Sequence, residues 1–352
     1  MQEADENEII ESETIDLHDI ALLLNYERAS SEPRFRNSKL REVATHEFDF
    51  RGVMIKTPLW TAHKGSKDGF VFQRIKRAIP GSDEEPDLPS NMLSPQVRSP
   101  LARDITQLAP SRLETIYWQA RGHDGCFKSV AILQYFLDLY AINPLLRIRL
   151  ANGREYVTSS SPTSLSIVEY DLLVVKHLTL AVVLPDNQTY ITSSSDQPRF
   201  RHAVVSFESH PYNGDNEIIL DMASMQFGET GRGPGRKGKS TFVLESVGDY
   251  KKRLLTVAGG FEKAKVSSRI TPDPNQANEA WMWKVAKKAK ERWEKRGEHH
   301  WCEHCGRPLA TGPALKRCSR CRQAYHCDEE HQKMAWSSHH KSWCRPAYVV
   351  HT

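Results

Sequence analysis

The clearest periodic pattern of apolar residues lies between residues 126 and 140, where they recur at spacings of three and four. Such spacing predicts an amphipathic helix that buries one stripe of side chains. The stripe consists of Phe127, Val130, Leu133, Leu137 and Tyr140. Asn143 and Pro144 are predicted to end the helix, because proline lacks the backbone N–H that a helix interior needs.

Seven short apolar runs follow this helix and predict β-strands. They occupy residues 145–150, 164–170, 172–184, 188–193, 202–209, 217–222 and 240–246. One helix is predicted to follow Ser111, and another is predicted over residues 249–264. Because the strands follow one another instead of alternating with helices, the order indicates the α+β class.

Composition divides the chain into five segments, whose boundaries follow shifts in charge and in proline content. In order we predict an acidic disordered tail with one short helix (1–32), an irregular region with a Pro-, Ser- and acid-rich linker (33–100), an α+β domain (101–272), a basic linker helix (273–298) and a small cysteine-rich module (299–346). The α+β segment is the only one long enough for a sizeable core.

Charge limits the classes of function. The formal net charge of +4 over 352 residues is too small and too dispersed to predict nucleic-acid binding. Residues 1–26 contain no Lys or Arg, whereas a secretory or transit signal needs basic residues there. The longest apolar stretch is interrupted by Lys176 and His177, so no membrane span is predicted. We therefore expect an intracellular protein, in the nucleus or the cytoplasm, with reduced thiols.

Six of the seven cysteines fall between Cys302 and Cys344. Two Cys-x2-Cys pairs have the spacing of zinc knuckles, in which a tight turn places both thiolates on one ion. The candidate ligands are Cys302, Cys305, Cys318, Cys321, Cys327, His331, His339 or His340, and Cys344. Eight ligands fill two closed tetrahedral sites with no place for a water molecule, so two structural zinc ions are predicted.

Residues 302–344 resemble the MYND-type zinc finger. The two Cys-x2-Cys pairs are followed by Tyr325 and Cys327, then by His331-Gln332 where the family has Cys-Gln, and then by Trp336 and a final His and Cys. The resemblance implies interleaved ligands, with Cys302, Cys305, Cys327 and His331 on one zinc and Cys318, Cys321, His339 and Cys344 on the other. It also implies a protein-interaction module that binds short, often proline-containing peptides.

The choice between His339 and His340 depends on two opposing arguments. Helical periodicity favours His339, because His331, Ala335 and His339 are spaced four residues apart, while His340 is turned a further 100° or so. The family spacing to the final cysteine instead fits His340. His304 and His326 occupy places that hold no ligand, and we expect them at the surface.

Two other patterns favour structural interpretations. Gly233–Ser240 matches the spacing of a phosphate-binding loop, but a strand instead of a helix is predicted after it, so no nucleotide is expected. The basic helix at residues 284–296 carries interleaved glutamates. We therefore expect Trp281, Trp283 and Trp293 to pack against the rest of the protein, not against nucleic acid.

Cys126 stands apart from the other cysteines, at the start of the predicted helix. The positive end of a helix dipole favours a thiolate there. His202 begins one predicted strand and Asp221 lies near the end of the next. A cysteine on a helix, a histidine on a strand and an aspartate on the following strand resemble the papain-like and transglutaminase-like thiol enzymes.

This second resemblance covers residues 101–260 and implies a papain-like domain of helix and antiparallel sheet, followed by the small two-zinc finger. Asp221 followed by Gln226-Phe resembles a signature of some papain-fold deamidases and toxins, and Gln119 lies near the place of an oxyanion glutamine. It implies acyl transfer from an amide: peptide hydrolysis, glutamine deamidation or transamidation. Cys126 is the candidate nucleophile, His202 the proton shuttle and Asp221 the orienting carboxylate.

Two hypotheses therefore stand. In the first, the protein is an adaptor in which the finger binds partner peptides, and the α+β domain is not an enzyme. Cys126 is then a buried packing residue, as free cysteines often are, and Asp221 caps a turn. In the second, the domain is a thiol hydrolase, deamidase or transamidase, and the finger recruits its substrate.

Overall fold

A computed structural model describes residues 14–44, 68–75, 87–94, 97, 105–175, 179–183, 189–193, 199–208, 217–234, 240–270, 278–311 and 313–346. Within these ranges the helices are α1 (Leu17–Ser31), α2 (Pro110–Gly122), α3 (Cys126–Leu137), α4 (Val247–Val257), α5 (Glu279–Glu294), α6 (Glu329–Ala335) and α7 (Lys341–Trp343). A 3₁₀ segment spans Ser224–Gly231, and a π-helical turn, Trp336–His340, joins α6 to α7.

The strands of the described residues form four sheets. They are β1 (Thr14–Asp16), β2 (Ser38–Ala44), β3 (Asp68–Arg74), β4 (Leu145–Arg149), β5 (Glu155–Ser159), β6 (Leu165–Val175), β7 (Thr179–Val183), β8 (Thr189–Ser193), β9 (Arg199–Glu208), β10 (Glu217–Asp221), β11 (Val243–Ser246), β12 (Ala258–Ser267), β13 (Lys316–Arg317) and β14 (Tyr325–His326). The largest sheet is antiparallel, in the order β11-β10-β9-β6-β12. The others are β1-β4-β5, β2-β3-β7-β8 and β13-β14.

The predicted α+β class is confirmed, and α3 covers one face of the large sheet. Its buried stripe, including Val130 and Leu133, shares one core with Ile167 of β6 and Val205 of β9. Because each of these strands alternates its side chains, the opposite faces of β6 and β9 build a second core with α4. Cys126, the first residue of α3, is thereby brought beside β9.

The helix predicted over residues 249–264 is wrong in its second half. Helix α4 ends at Val257, and the chain continues directly as β12, which pairs antiparallel with β6 from Ala258↔Val175 to Ser267↔Ile167. Gly259-Gly260 is a poor helical dipeptide, and pairing with β6 supplies the backbone hydrogen bonds that the extra helical turns would have made. Strand β5 was also missed.

The segment predicted as an acidic tail is instead part of the core from residue 14 onwards. Strand β1 pairs in parallel with β4, and almost every side chain of α1 is buried. The acidic residues of the segment hid an apolar run whose Ile20, Leu23 and Leu24 join the main core. The charged Glu27 is tolerated there because Arg292 and Lys288 of α5 neutralise it. Residues 1–13 lie outside the described ranges.

The region predicted as irregular, 33–100, contains two paired strands. Strand β2 is antiparallel to β3, and β3 lies parallel to β7, so this region contributes half of the four-stranded sheet. Most of the Pro-, Ser- and acid-rich linker predicted within this region, at residues 80–100, lies outside the described ranges. Residues 235–239 of the phosphate-loop-like stretch also lie outside the described ranges. Strand β11 begins at Val243, shortly after this stretch.

Helix α5 is a core helix and not a linker. Met282, Val285, Ala286 and Ala289 are buried against α1 and α3, while Lys284 and Lys287 are exposed. The tryptophans pack as expected. Trp281 and Trp293 are buried, and Trp283 stacks on Tyr135 with ring centroids 4.5 Å apart.

The cysteine-rich module packs closely against α1. Gly306 adopts φ +76°, and a β-carbon at this position would lie 2.8 Å from both the Leu22 carbonyl oxygen and the Tyr26 β-carbon. Arg292 of α5 donates to Glu27 and to the Gly306 carbonyl oxygen, which closes the corner between α1, α5 and the module. The approach is therefore possible only because residue 306 has no side chain.

A second contact holds the other end of the module. Ser342 donates to the Ala151 carbonyl oxygen at 2.7 Å, and the Trp343 indole donates to the Leu150 carbonyl oxygen at 3.1 Å. His339 stacks on His18 of α1, with ring centroids 3.5 Å apart and planes inclined by 6°. The module is thus attached to the α+β domain on two sides.

We expect Gly306→Ala to destabilise the protein by at least about 1–2 kcal/mol, because an L-residue in the left-handed region costs this much before any steric clash is added. The measurement is thermal unfolding of the zinc-loaded chain. Gly297→Ala is the control, since a β-carbon there meets nothing within 4 Å. Equal unfolding temperatures for the two variants would contradict the docking geometry.

Candidate functional sites: two zinc centres and a Cys-His-Asp cluster

The first Cys/His cluster joins the beginning of the module to its middle part. Cys302, Cys305, Cys327 and His331 bring their ligand atoms within 4.8 Å of one another. The Cys302 sulfur lies 3.5 Å from Nδ1 of His331, and the Cys305 and Cys327 sulfurs lie 3.6 Å apart. Short loops around Cys302 and Cys305, and the start of α6 at His331, set these positions.

The second cluster has the same composition. Cys318, Cys321, His340 and Cys344 also lie within 4.8 Å of one another. The Cys318 and Cys344 sulfurs are 4.0 Å apart, and the Cys321 sulfur is 3.7 Å from Nε2 of His340. The two Cys-x2-Cys pairs therefore belong to different clusters, in the interleaved arrangement that the sequence resemblance implied.

These distances fit two tetrahedral zinc ions. Bonds of about 2.3 Å to sulfur and about 2.0–2.1 Å to nitrogen place two sulfurs about 3.8 Å apart, and a sulfur and a nitrogen about 3.6 Å apart. The observed spacings of 3.5–4.0 Å agree, and none of the seven cysteines forms a disulfide. Three thiolates and one imidazole per ion are a typical structural zinc set, so each cluster holds zinc with no open position.

The prediction that His339 is a ligand is wrong, since His340 occupies that place. The α-helical periodicity that favoured His339 does not continue through this segment, because Trp336–His340 is a π-helical turn. A π turn closes i→i+5 hydrogen bonds and so takes up an additional residue. His340 thus reaches the face that an uninterrupted α-helix would have given to His339, and His339 packs on His18 instead.

Each zinc-binding histidine also faces a carboxylate. Nδ1 of His340 lies 2.7 Å from Glu303, within the module, whereas Nε2 of His331 lies 3.6 Å from Glu114, which belongs to α2. Such carboxylates orient the imidazole and fix which nitrogen meets the metal. The expectation that His304 and His326 lie at the surface is wrong. Both are buried, and His304 is 2.8 Å from Glu114.

The structure brings His202 and Asp221 together in the core of the α+β domain. Nε2 of His202 lies 2.7 Å from Oδ2 of Asp221, across the neighbouring strands β9 and β10. The Tyr250 hydroxyl of α4 donates to the same Oδ2 at 3.1 Å, and the Ala223 backbone N–H donates to Oδ1 at 2.9 Å. The carboxylate is thus held by three partners, and it fixes the orientation of the imidazole.

Cys126 reaches the same imidazole from the start of α3. Burial alone would lower the pKa of His202, but the Asp221 carboxylate and hydrogen bonds to Asp221 and Cys126 outweigh it and raise the pKa to about 10. The Cys126 sulfur lies 4.0 Å from the Arg201 carbonyl oxygen. His202 is completely buried, and Cys126 is 3% exposed. The three predicted residues therefore form one enclosed cluster.

Two further side chains belong to this cluster. The Gln226 amide, in the 3₁₀ segment, lies 2.9 Å from Nδ1 of His202. Its N–H suits the neutral ring, and rotation of the amide would offer an oxygen to a protonated Nδ1. Gln119 of α2 packs on Gly228, where a β-carbon would meet its amide at 3.1 Å. The sequence had marked both glutamines but gave no signal for Tyr250.

Comparison with known proteins covers only the end of the chain. A sequence model of the family described as MYND finger matches residues 302–344. Programmed cell death protein 2 of Bos taurus is 47% identical over 45 residues, which are 13% of this chain and 12% of that protein. No solved structure matches. Among the described residues, no helix is both long and apolar enough to cross a membrane. Residues 302–344 match the family model and contain both Cys₃His zinc sites, so this segment is a MYND finger.

Proposed function

We propose that the protein is a zinc-binding adaptor whose MYND finger docks short peptide segments of partner proteins. The observation that carries this proposal is the closed coordination of both zinc sites, which leaves the metal ions no role in chemistry. A module of this kind contributes a surface, and the surface that contacts α1 and the loop after β4 is already used within the chain. A partner therefore binds the opposite face.

The exposed segment of the finger at residues 316–322 is strongly basic. Its exposed cations are Lys316, Arg317, Arg320 and Arg322. Among the described residues, neither Lys316 nor Arg320 has a carboxylate oxygen within 4.0 Å, whereas the buried Arg232 and Arg292 are paired with Glu114 and Glu27. Leu309 on the module is 41% exposed. We propose a proline-containing peptide with acidic flanking residues, because complementary charge steers and selects partners.

The test uses the full-length, zinc-loaded chain and a peptide library in which a proline-containing core has acidic or neutral flanks. The proposal expects preferential capture of acidic-flanked peptides, with weaker binding after Lys316→Glu and Arg320→Glu. Lys284→Glu and Lys287→Glu on α5 change the same net charge elsewhere and are the control. Equal losses in both pairs of variants would overturn the assignment of this face.

A second function is favoured by the His202–Asp221 contact. We propose that the α+β domain performs thiol-dependent acyl transfer, with the finger as its recruitment module. Cys126 is the proposed nucleophile, His202 the proton shuttle and Asp221 the orienting carboxylate. The support is that a histidine held by a buried carboxylate lies against a thiol at a helix start, which is the arrangement that activates a sulfur nucleophile.

In the proposed reaction the Cys126 sulfur forms a bond to the carbonyl carbon of an amide. The carbon–nitrogen bond breaks, and the thiol proton passes through His202 to the departing amine. Water, or a second amine, then attacks the thioester and regenerates the thiol. These outcomes correspond to hydrolysis or deamidation with water, and to transamidation with an amine. Since Cys126 is 3% exposed, substrate entry requires local opening of the segments that cover it.

A peptide vinyl sulfone with a glutamine-like side chain tests this proposal, because the Cys126 sulfur adds to its β-carbon and a proton adds to its α-carbon. We expect one adduct, located by mass spectrometry on Cys126 and absent from Cys126→Ser. Labelling that requires denaturant in the wild-type protein would overturn the thiol function and leave the adaptor proposal intact.

A further inference from the structure

Glu114 is a buried carboxylate that lies between the α+β domain and the finger. It is 3% exposed and belongs to α2 of the α+β domain. Its Oε1 lies 2.8 Å from Nε2 of His304 and 3.6 Å from Nε2 of the zinc-binding His331, both in the finger. Its Oε2 accepts from Arg232 at 3.1 Å, so the guanidinium compensates its charge. One side chain thus contacts the first zinc site from outside the finger.

The partners of Glu114 continue into the 3₁₀ segment. Arg232 also donates to Glu229 at 2.9 Å and to Thr115 at 3.0 Å. Thr115 in turn donates to Glu229 at 2.8 Å. The far end of the segment, Ser224–Gly231, is therefore fixed to the same buried group that faces the zinc ligand.

The near end of this 3₁₀ segment lies in the Cys-His-Asp cluster. Gln226, three residues before Glu229, contacts Nδ1 of His202 at 2.9 Å. Between them the backbone turns sharply at Gly228, with φ +63° and ψ −141°, and packs on Gln119 of α2. Helix α2 and the 3₁₀ segment are thus bound together at both the zinc end and the thiol end.

We propose that Glu114 is a positioning residue shared by the first zinc site and the Cys126 cluster. From α2 it orients His331 for the metal, and through Arg232 and Glu229 it fixes the segment that presents Gln226 to His202. The zinc half of this inference stands on the geometry of the finger alone. The thiol half rests on the proposed acyl-transfer function.

The second zinc site has the same ligand composition as the first, so it provides a matched control for the effect of Glu114. His340 is oriented by Glu303, a carboxylate of the finger itself, whereas His331 depends on a carboxylate of another domain. Glu303 lies within hydrogen-bond distance of His340, at 2.7 Å, and Glu114 lies at the longer distance of 3.6 Å from His331. Glu114→Gln and Glu303→Gln therefore each remove a carboxylate charge that faces one zinc-binding histidine. Removal of such a partner typically costs about 10- to 100-fold in metal affinity.

The experiment loads the full-length chain with zinc and challenges it with a chelator and a thiol-specific alkylating reagent. Mass spectrometry then shows which cysteines become labelled and how fast. We expect Glu114→Gln to accelerate labelling of Cys302, Cys305 and Cys327 by about 10- to 100-fold, and Glu303→Gln to accelerate that of the second site instead. Unchanged zinc loss from the first site in Glu114→Gln overturns the inference.

A milder variant tests the thiol half. Glu229 is largely exposed, so Glu229→Gln cuts the link to Arg232 without leaving a buried charge unpaired. We expect it to change the pH profile of Cys126 alkylation while zinc loss stays at the wild-type rate. If Cys126 in the wild-type protein lacks a low-pH reactive form, the acyl-transfer function fails, yet the zinc readout still decides the role of Glu114. Should Glu114→Gln not fold, Glu114→Gln with Arg232→Gln removes both buried charges together.

Discussion

His340→Ala is expected to release one of the two zinc ions and to unfold the end of the finger, while His339→Ala retains both ions. His340 supplies a ligand of the second site, whereas His339 stacks on His18. A structural zinc contributes about 10–16 kcal/mol to the folding of a small finger, so a site with three ligands loses most of what holds the segment together. The measurement is zinc content per chain by native mass spectrometry.

The adjacent positions of the two histidines make this a matched pair, because the variants have identical composition. Alkylation identifies the ion that is lost: Cys318, Cys321 and Cys344 become reactive in His340→Ala, and Cys302 and Cys305 stay protected. Loss of zinc from His339→Ala with retention in His340→Ala would show that the turn at residues 336–340 is α-helical in solution.

His202→Ala is expected to slow alkylation of Cys126 at pH 6 on the order of 100-fold. The Asp221 carboxylate outweighs burial and raises the pKa of His202 to about 10, so the imidazole is protonated at pH 6. In the proposed acyl-transfer function this positive charge favours the reactive thiolate form of the neighbouring cysteine. Without the imidazole, the rate should rise roughly tenfold per pH unit until about pH 8.5. The measurement is the rate of iodoacetamide labelling from pH 5 to pH 9.

The shape of this profile is decisive, because burial of Cys126 slows labelling at every pH alike. Asp124→Asn is the control: its side chain is half exposed and lies two residues before the thiol, so it changes local charge without touching the His202–Asp221 pair. If wild-type and His202→Ala profiles coincide, Cys126 is a packing residue and the adaptor function alone stands.

The sequence was most informative where one short-range rule controls the structure. Apolar periodicity placed the start of α3 at Cys126, since the buried stripe and the helix have the same repeat. Cys-x2-Cys spacing located both zinc knuckles, because two thiolates on a tight turn have few alternatives to a metal. The assembly of His202 with Asp221 followed from their strands being neighbours in the chain and in the sheet.

The remaining features depend on contacts between distant parts of the chain. Helix α1 was predicted as a short helix in an acidic tail, because the segment before residue 27 contains many acidic residues and no Lys or Arg. Its burial depends on distant partners such as Arg292, which neutralises Glu27 from 265 residues away. The π turn before His340 has no signal in local periodicity, because the spacing of His331, Ala335 and His339 fits a regular α-helix. Glu114 reads as an ordinary helical glutamate until the finger places His331 beside it.

The position of α1 also bears on how the protein is made. Helix α1 is synthesised before its partners α5 and the finger, which emerge more than 250 residues later. At typical rates of about 5–20 residues per second, its apolar faces wait for tens of seconds without their final contacts. Because small zinc fingers fold only with metal, we expect the supply of zinc to the newly made chain to determine when the contacts between α1 and the finger form. Cellular zinc deficiency should therefore lower the amount of the whole protein, through proteolysis of unfinished chains, and not merely the occupancy of its last segment.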